Sequence, residues 1–326
     1  MESSTDIDLN RVRRYGGPIA HAALQPERQL FHVEGIDGLM AHTLTGRCEV
    51  VMGDPICASK DKSRLADAFA EHALSHGHAL VCVAASGTLR NHVLARGWAA
   101  LEFADLLATD PRYDFEQGPE GRHLRQQLNR ARREGVTVKE YRRSGNDLFE
   151  NRVQSTYDRW RNRRRGPQMY LGTAGLFDHE PGRRWFIAQR GTDVLGCLSL
   201  LEAGGTGSPY LINLVVSSPE APAHTNELMI VTALAALGSE GCQSVCLGIG
   251  PRSKLGSIEG CRPLQDRLAR WLYQLSIQLL HPDRKTEFWK KFGATPQEPL
   301  YLLFQNPQLH VWDVYALFRA FHASIQ

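Results

Sequence analysis

ALVCVAASGTLRNHVLARGWAALEFADLL, residues 79–107, holds in one stretch the alternation that decides the fold class. Its first seven residues are small or branched and apolar, which suits a strand covered on both faces. Ser86 then stands where a helix needs a side-chain acceptor for its first free N–H groups, and Gly97 stands where the helix must turn out. Residues 99–106 resume an apolar, strand-like run. Strand, helix and strand in immediate succession indicate an α/β fold.

The pattern extends in both directions. Upstream, EVVMGDPI (49–56) reads as a strand running into a Gly-Asp-Pro turn in which Asp54 is a turn residue. A helix over 62–75 follows, with Leu65, Ala68, Phe69 and Leu74 near helical spacing. Downstream, VTVKEY (136–141) is a strand, and 146–160 a helix capped by Asn146 or Asp147. WFIAQRGTDVLGCLSLLEA (185–203) reads as two strands about a Gly-Thr-Asp turn. Then come a strand at YLINLVV (210–216), a helix over 225–237, a strand at SVCLGI (244–249), a helix over 264–280, a strand at PLYLLF (299–304) and an amphipathic helix over 311–321. The element order suggests a duplicated unit, although no residue-level repeat accompanies it. It divides the chain into a flexible N-terminus (1–18), a first half (19–118), a connecting helix (119–135) and a second half (136–326).

Composition places the 326 residues among globular chains, with 42% hydrophobic and 22% charged residues. No apolar run reaches the roughly 18 residues a membrane span requires, and the first residues lack a signal peptide's apolar segment. The seven cysteines are an odd count and sit mostly in strand-like runs, as reduced core residues do. Cys242 and Cys246 lack further ligands beside them, so no metal site is expected. These features point to a cytoplasmic protein, with contact to a membrane surface left open.

The net charge of +3 is unevenly spread: residues 122–165 carry 14 Lys and Arg against five Asp and Glu, a local +9 that leaves −6 for the rest. On a helical wheel over HLRQQLNRARREG (123–135), Leu124, Leu128 and Ala131 share a narrow seam, and the remaining faces are polar. A helix adapted to water alone would mix Glu with Arg at i,i+4 spacing, whereas this one carries a single acid, Glu134. Arginine-rich, self-repelling surface suits a phosphate-rich partner. RWRNRRRG (159–166) adds a second basic run that interleaves Trp160, a pattern compatible with base stacking. A solvated connector remains the other reading of the helix.

Side by side, VVMGDPI (50–56), GRHLRQQLNRARREGVTV (121–138), FDHEPGRRWFIAQRGTDVLGCLSL (177–200), CLGIGPRSKL (246–255), EFWKKFG (287–293) and EPLYLLF (298–304) resemble the soluble catalytic domain of the phosphatidylglycerol lysyltransferases, the multiple peptide resistance factors, and of the fungal ergosteryl amino-acid synthases. The resemblance runs from about residue 31 to 321 and rests on the order and spacing of these segments. It implies two acetyltransferase-like (GNAT) halves, each a mixed sheet flanked by helices, joined by a basic helix. It also implies transfer of an amino acid from aminoacyl-tRNA to a hydroxyl of a lipid, phosphatidylglycerol or a sterol such as ergosterol. Arg122, Arg125, Arg130, Arg132 and Arg133, with Arg163 and Arg164, then become tRNA-binding residues. The family's Lys-Phe motif falls on Lys291 and Phe292. Where many members carry Asp-Leu-Met-Arg on a central strand, this chain has Asn213 and Val216, so the transferred amino acid is left unspecified.

Aminoacyl-tRNA is an activated ester, so its transfer requires neither ATP nor a metal or other cofactor; it requires positioning, proton removal and stabilisation of an oxyanion and a departing ribose oxygen. Lys291 can supply the stabilising cation, with Arg252 beside glycines as a second. His224 and Glu227, opening the helix after YLINLVV, are candidates for the base, although Glu so near a helix N-terminus is also favoured electrostatically. Asn213, Asn226 and Trp160 are candidates for contacts with substrate. An acyl-CoA-dependent N-acetyltransferase would need a glycine-rich turn at VVSSPEAPAHTNELM (215–229), which has no glycine. A soluble natural-product hydroxyl or amine as acceptor, and a non-catalytic RNA-binding protein on a degenerate transferase fold, remain alternatives. The last helix (311–321) is apolar enough on one face to meet a membrane surface or to pack on its own domain.

Overall fold

A computed structural model describes residues 4–24, 28–143, 145–163, 176–177, 182–204, 209–280, 283–306, 316 and 319. In chain order the elements are α1 (Ser4–Tyr15), β1 (Gln29–Phe31), β2 (Gly38–Thr45), β3 (Cys48–Met52), β4 (Ile56–Cys57), α2 (Lys62–Ser75), β5 (Ala79–Ala85), α3 (Gly87–Leu94), β6 (Ala99–Thr109), α4 (Arg122–Arg133), β7 (Thr137–Tyr141) and α5 (Asp147–Arg163). They continue with β8 (Arg183–Arg190), β9 (Asp193–Glu202), β10 (Tyr210–Ser217), α6 (Thr225–Ser239), β11 (Val245–Pro251), β12 (Ile258–Glu259), α7 (Pro263–Leu280), α8 (Asp283–Lys290) and β13 (Thr295–Phe304). The mixed α/β class expected from 79–107 is the one observed. Ser86 caps α3 through the Leu89 N–H, and Asn146 caps α5 through the Phe149 N–H. The C-terminal helix expected over 311–321 lies, Ala316 and Arg319 apart, outside the described residues.

The strands form one continuous sheet in the order β1-β2-β3-β5-β13-β6-β11-β10-β9-β8-β7, with β4 on β2 and β12 on β6. Two adjacent pairs are parallel, β3 with β5 and β10 with β11, and each is bridged by a helix, α2 or α6. The other ladders are antiparallel. A helix-bridged parallel pair thus occurs once within residues 19–118 and once within residues 136–326. The sheet does not divide at the connecting helix, however, because β13 from the chain's end lies between β5 and β6. Pro296 and Pro299 are tolerated in this strand because β5 pairs it only from Tyr301 onward, leaving one side of the proline stretch without a ladder.

The first 18 residues, expected to be flexible, contain α1. Leu9 and Val12 are buried, and Val12 packs with Leu39, Ala41 and Ile56. Asp8 and Arg11 pair one helical turn apart at 2.9 Å, which adds to the stability of the docked helix. No disulfide joins the seven cysteines; burial pushes the Cys82 and Cys197 thiols up to about 12, as expected of inert core residues.

Candidate active site

The two parallel units differ where it matters. β3 and β5 stay in register over five residue pairs, from Cys48 with Ala79 to Met52 with Val83. Beyond them Asp54 closes the gap, accepting from the Ser86 N–H at 2.9 Å and its hydroxyl at 2.7 Å. This is the turn role the sequence gives it. By contrast, β10 and β11 pair only at Tyr210 with Val245 and Leu211 with Cys246, then part. Register shifts fall just past the split, at Asn213 on β10 and Leu247 on β11. A bulge bends its strand, and here the bulges accompany an opening between two strands that would otherwise be closed by hydrogen bonds.

A cavity of about 530 Å³ lies beyond the C-terminal end of β10, lined by Trp160, Ser217, Ser218, Pro222, His224, Asn226 and Glu227 among others. The turn into α6 places these groups. The Ser218 N–H donates to the Leu195 carbonyl at 2.7 Å, and the Thr225 hydroxyl to the Pro222 carbonyl at 2.7 Å, fixing the turn at both ends. His224 adopts the left-handed conformation (φ 69°, ψ 15°), which non-glycine residues seldom take. The Glu227 carboxylate, almost wholly buried, accepts from Lys291 Nζ at 3.1 Å and lies 3.4 Å from His224 Nδ1. Three of the expected catalytic residues thus meet on one carboxylate.

Lys291 reaches that carboxylate because its neighbours are anchored. Phe292 is fully buried among Phe115, Phe288 and Trp289. Its carbonyl accepts from the buried Thr109 hydroxyl at 2.5 Å, so β6 of the first half holds the loop that carries Lys291. The ammonium also lies 5.2 Å above the Phe288 ring, a favourable cation–π position. Asn226 Oδ1 is buried with no hydrogen-bond partner among the described residues, beside the same cavity. Such an acceptor is costly unless a ligand or solvent donor meets it.

Arg252 does not join this group. It is held at the end of β11 by Glu102 and, through two bonds of 2.9 and 2.6 Å, by Asp105. Its guanidinium anchors β11 to β6, and Arg252 is not among the residues that line the cavity. Asn213 is half-buried on the bulge and likewise not among the lining residues.

The basic helix packs as its pattern indicates. Leu124, Leu128 and Ala131 are buried in the core that also holds Phe292 and α6. Its arginines are not equivalent. Arg125 donates to the Glu116 carbonyl, Arg132 grips the Glu116 carboxylate with two 2.7 Å bonds, and Arg130 pairs with Glu134 at 3.1 Å. Arg122 and Arg133 are exposed and have no ion-pair partner among the described residues. Sequence reasoning missed Glu116 as a counter-charge, because it lies in the loop before the helix rather than at helical spacing. Arg164 and the side chain of Arg163 lie outside the described residues.

A family model described as "Phosphatidylglycerol lysyltransferase, C-terminal" matches residues 9–304. The chain belongs to this family. Among curated relatives of the lysyltransferase family, the lysylphosphatidylglycerol biosynthesis bifunctional protein LysX of Mycolicibacterium gilvum is 32% identical over 243 residues, which cover 70% of this chain and 21% of that protein. The Mycobacterium tuberculosis protein of the same name is 32% identical over 201 residues, 57% of this chain and 16% of its own length. The chain therefore spans about a sixth to a fifth of the length of these relatives. Among solved structures, L-PGS from Bacillus licheniformis superposes with a TM-score of 0.80 at 17% identity, covering 97% of this chain and 96% of that one. The C-terminal domain of a putative lysylphosphatidylglycerol synthetase from Agrobacterium fabrum gives 0.75 at 22% identity, with 97% and 95% covered. These two structures establish the fold over nearly the whole chain.

Proposed function

We propose that this protein transfers an aminoacyl group from charged tRNA to the hydroxyl of a lipid. The observation that carries the reading is Glu227, a buried carboxylate held between Lys291 and His224 at the edge of an open polar cavity. With its proton on Nδ1 and directed at Glu227, the His224 ring presents Nε2 as a base. The acceptor hydroxyl gives its proton to Nε2 while its oxygen attacks the ester carbonyl carbon. The carbonyl oxygen becomes an oxyanion facing the Lys291 ammonium. Collapse re-forms the carbonyl and breaks the bond to the ribose oxygen, which leaves with the proton held on the imidazole. Asn226 Oδ1 is an acceptor suited to the α-ammonium of the aminoacyl group. Arg122 and Arg133 supply uncommitted cations for tRNA phosphates.

The turn before α6 supports this donor over acyl-CoA. Pro219 and Pro222 remove backbone N–H groups from the segment that would have to cradle a pyrophosphate, and no glycine allows close backbone approach. The names of the relatives, which concern lysylphosphatidylglycerol, support a lipid as the acceptor.

The test is incubation of the protein with radiolabelled total aminoacyl-tRNA and dispersed phosphatidylglycerol or sterol, with and without prior RNase, and with labelled acetyl-CoA in parallel. RNase-sensitive passage of label into the organic phase is the expected result. Acetyl transfer from CoA in place of it overturns the donor. RNase-sensitive label in a water-soluble, non-RNA product overturns the lipid acceptor.

A further inference from the structure

Helix α7 presents an apolar stripe to solvent. Leu264, Leu268, Trp271 and Leu275 are 79, 46, 61 and 39% exposed. Their spacing of four, three and four residues places them on one face, over a length of about 17 Å at 1.5 Å per residue. The opposite face is the one that packs: Ala269 is buried, and the Tyr273 hydroxyl lies 2.7 Å from each of the Phe103 and Arg252 carbonyls, either of which can accept its proton. The helix therefore makes its inward contacts on the opposite face, and the stripe is left facing solvent.

Cations flank the stripe. Gln274 donates to the Ser253 carbonyl at 2.9 Å and Arg270 to the Leu255 carbonyl at 3.0 Å, which lays the loop carrying Lys254 alongside α7. Lys254, Arg262 and Arg267 are exposed and have no ion-pair partner among the described residues. The carboxylates on this stretch are already engaged, Asp266 by Arg270 at 2.7 Å and Glu259 by Arg90. An apolar ridge with a central tryptophan, bordered by uncompensated positive charge, matches an anionic lipid surface: the side chains enter the acyl boundary, tryptophan favours the headgroup level, and the cations meet phosphates. Its place in the chain is apt, since α7 starts from the segment after β11 and leads through α8 to Lys291.

We propose that the α7 face docks the protein on an anionic membrane, the surface that would hold its lipid substrate. The choice of a bilayer as the occupant rests on the lipid-acceptor reading above. No helix among the described residues is long and apolar enough to cross a membrane, so this contact is one of surface binding.

Flotation with vesicles of phosphatidylcholine alone, and of phosphatidylcholine mixed with phosphatidylglycerol, tests it on the full chain. The protein should float with the mixed vesicles and release as salt rises. Leu268→Ala with Trp271→Ala should lower partitioning by roughly tenfold or more, and Lys254→Gln, Arg262→Gln and Arg267→Gln together should abolish the preference for anionic vesicles. Both variants alter exposed groups and should keep the wild-type melting temperature. Transfer to detergent-dispersed acceptor should survive in both while transfer to vesicle-embedded acceptor falls. Absence of vesicle binding, or equal binding by wild type and variants, overturns the surface even if dispersed acceptor is still aminoacylated. Stripe-dependent flotation without any transfer overturns the function and leaves the surface standing. A wild-type dimer in sedimentation equilibrium that the Leu268 and Trp271 substitutions dissociate, with no flotation, assigns the stripe to a second copy and overturns the membrane.

Discussion

His224 occupies a backbone conformation that costs a non-glycine residue about 1–2 kcal/mol, and it does so beside the cavity and against Glu227. Glycine meets no such penalty there. His224→Gly should therefore raise stability by about 1 kcal/mol in thermal unfolding while lowering kcat/KM by about 10²-fold or more. A variant that is both destabilised and active would remove the base from the scheme. Lys291→Ala should reduce kcat by about 10²–10³-fold with KM little changed, measured as RNase-sensitive transfer. The members of this group are legible one by one in the sequence: Lys291 through the Lys-Phe motif, His224 and Glu227 through their position after an apolar strand. Their meeting is not, because a lysine 64 residues beyond its carboxylate leaves no periodic trace. The structural role of Arg252 escapes the sequence for the same reason, since Glu102 and Asp105 reach it from a distant strand.

At the scale of the element, α4 separates two jobs that its sequence merges. The apolar seam, the polar faces and the terminal glycine are all readable, although the helix, expected over 119–135, runs from Arg122 to Arg133, with Gly135 just past its end. Which arginines are uncommitted is not readable, because the counter-charge comes from the preceding loop. Arg122→Gln with Arg133→Gln should flatten the dependence of log Kd for tRNA on log salt by about 0.7–0.9 for each phosphate no longer neutralised, with no change in melting temperature. Arg132→Gln should instead strand the Glu116 carboxylate and lower the melting temperature, with a smaller effect on the salt slope. If the Arg122 and Arg133 pair leaves the slope unchanged, α4 is a structural connector and the tRNA lies elsewhere. Thr109→Val tests a second element-scale link, from β6 to the Lys291 loop. It removes the hydroxyl that holds the Phe292 carbonyl and should lower kcat while sparing tRNA affinity, and Thr109→Ser should restore it.

At the scale of the whole molecule, the chain order of the elements suggests two successive halves, whereas the pairing of the strands interleaves them. The strand that ends the second half, β13, has both its neighbours, β5 and β6, in the first, and β11 also pairs with β6. Local patterns of apolar residues specify that a strand exists and which faces it buries, but carry no information on which distant strand lies beside it. The consequence is a test of folding. A fragment of residues 136–326 would carry β13 without either partner and β11 with an open edge, and such apolar edges aggregate. It should be insoluble alone and recovered as a soluble complex when co-expressed with residues 1–135. In calorimetry the intact chain should show one transition, with calorimetric and van't Hoff enthalpies equal, because neither half has a complete sheet to retain when the other melts. Two resolved transitions, or a soluble monomeric fragment with a cooperative melt of its own, would show that the halves fold independently and that β13 only joins them afterwards.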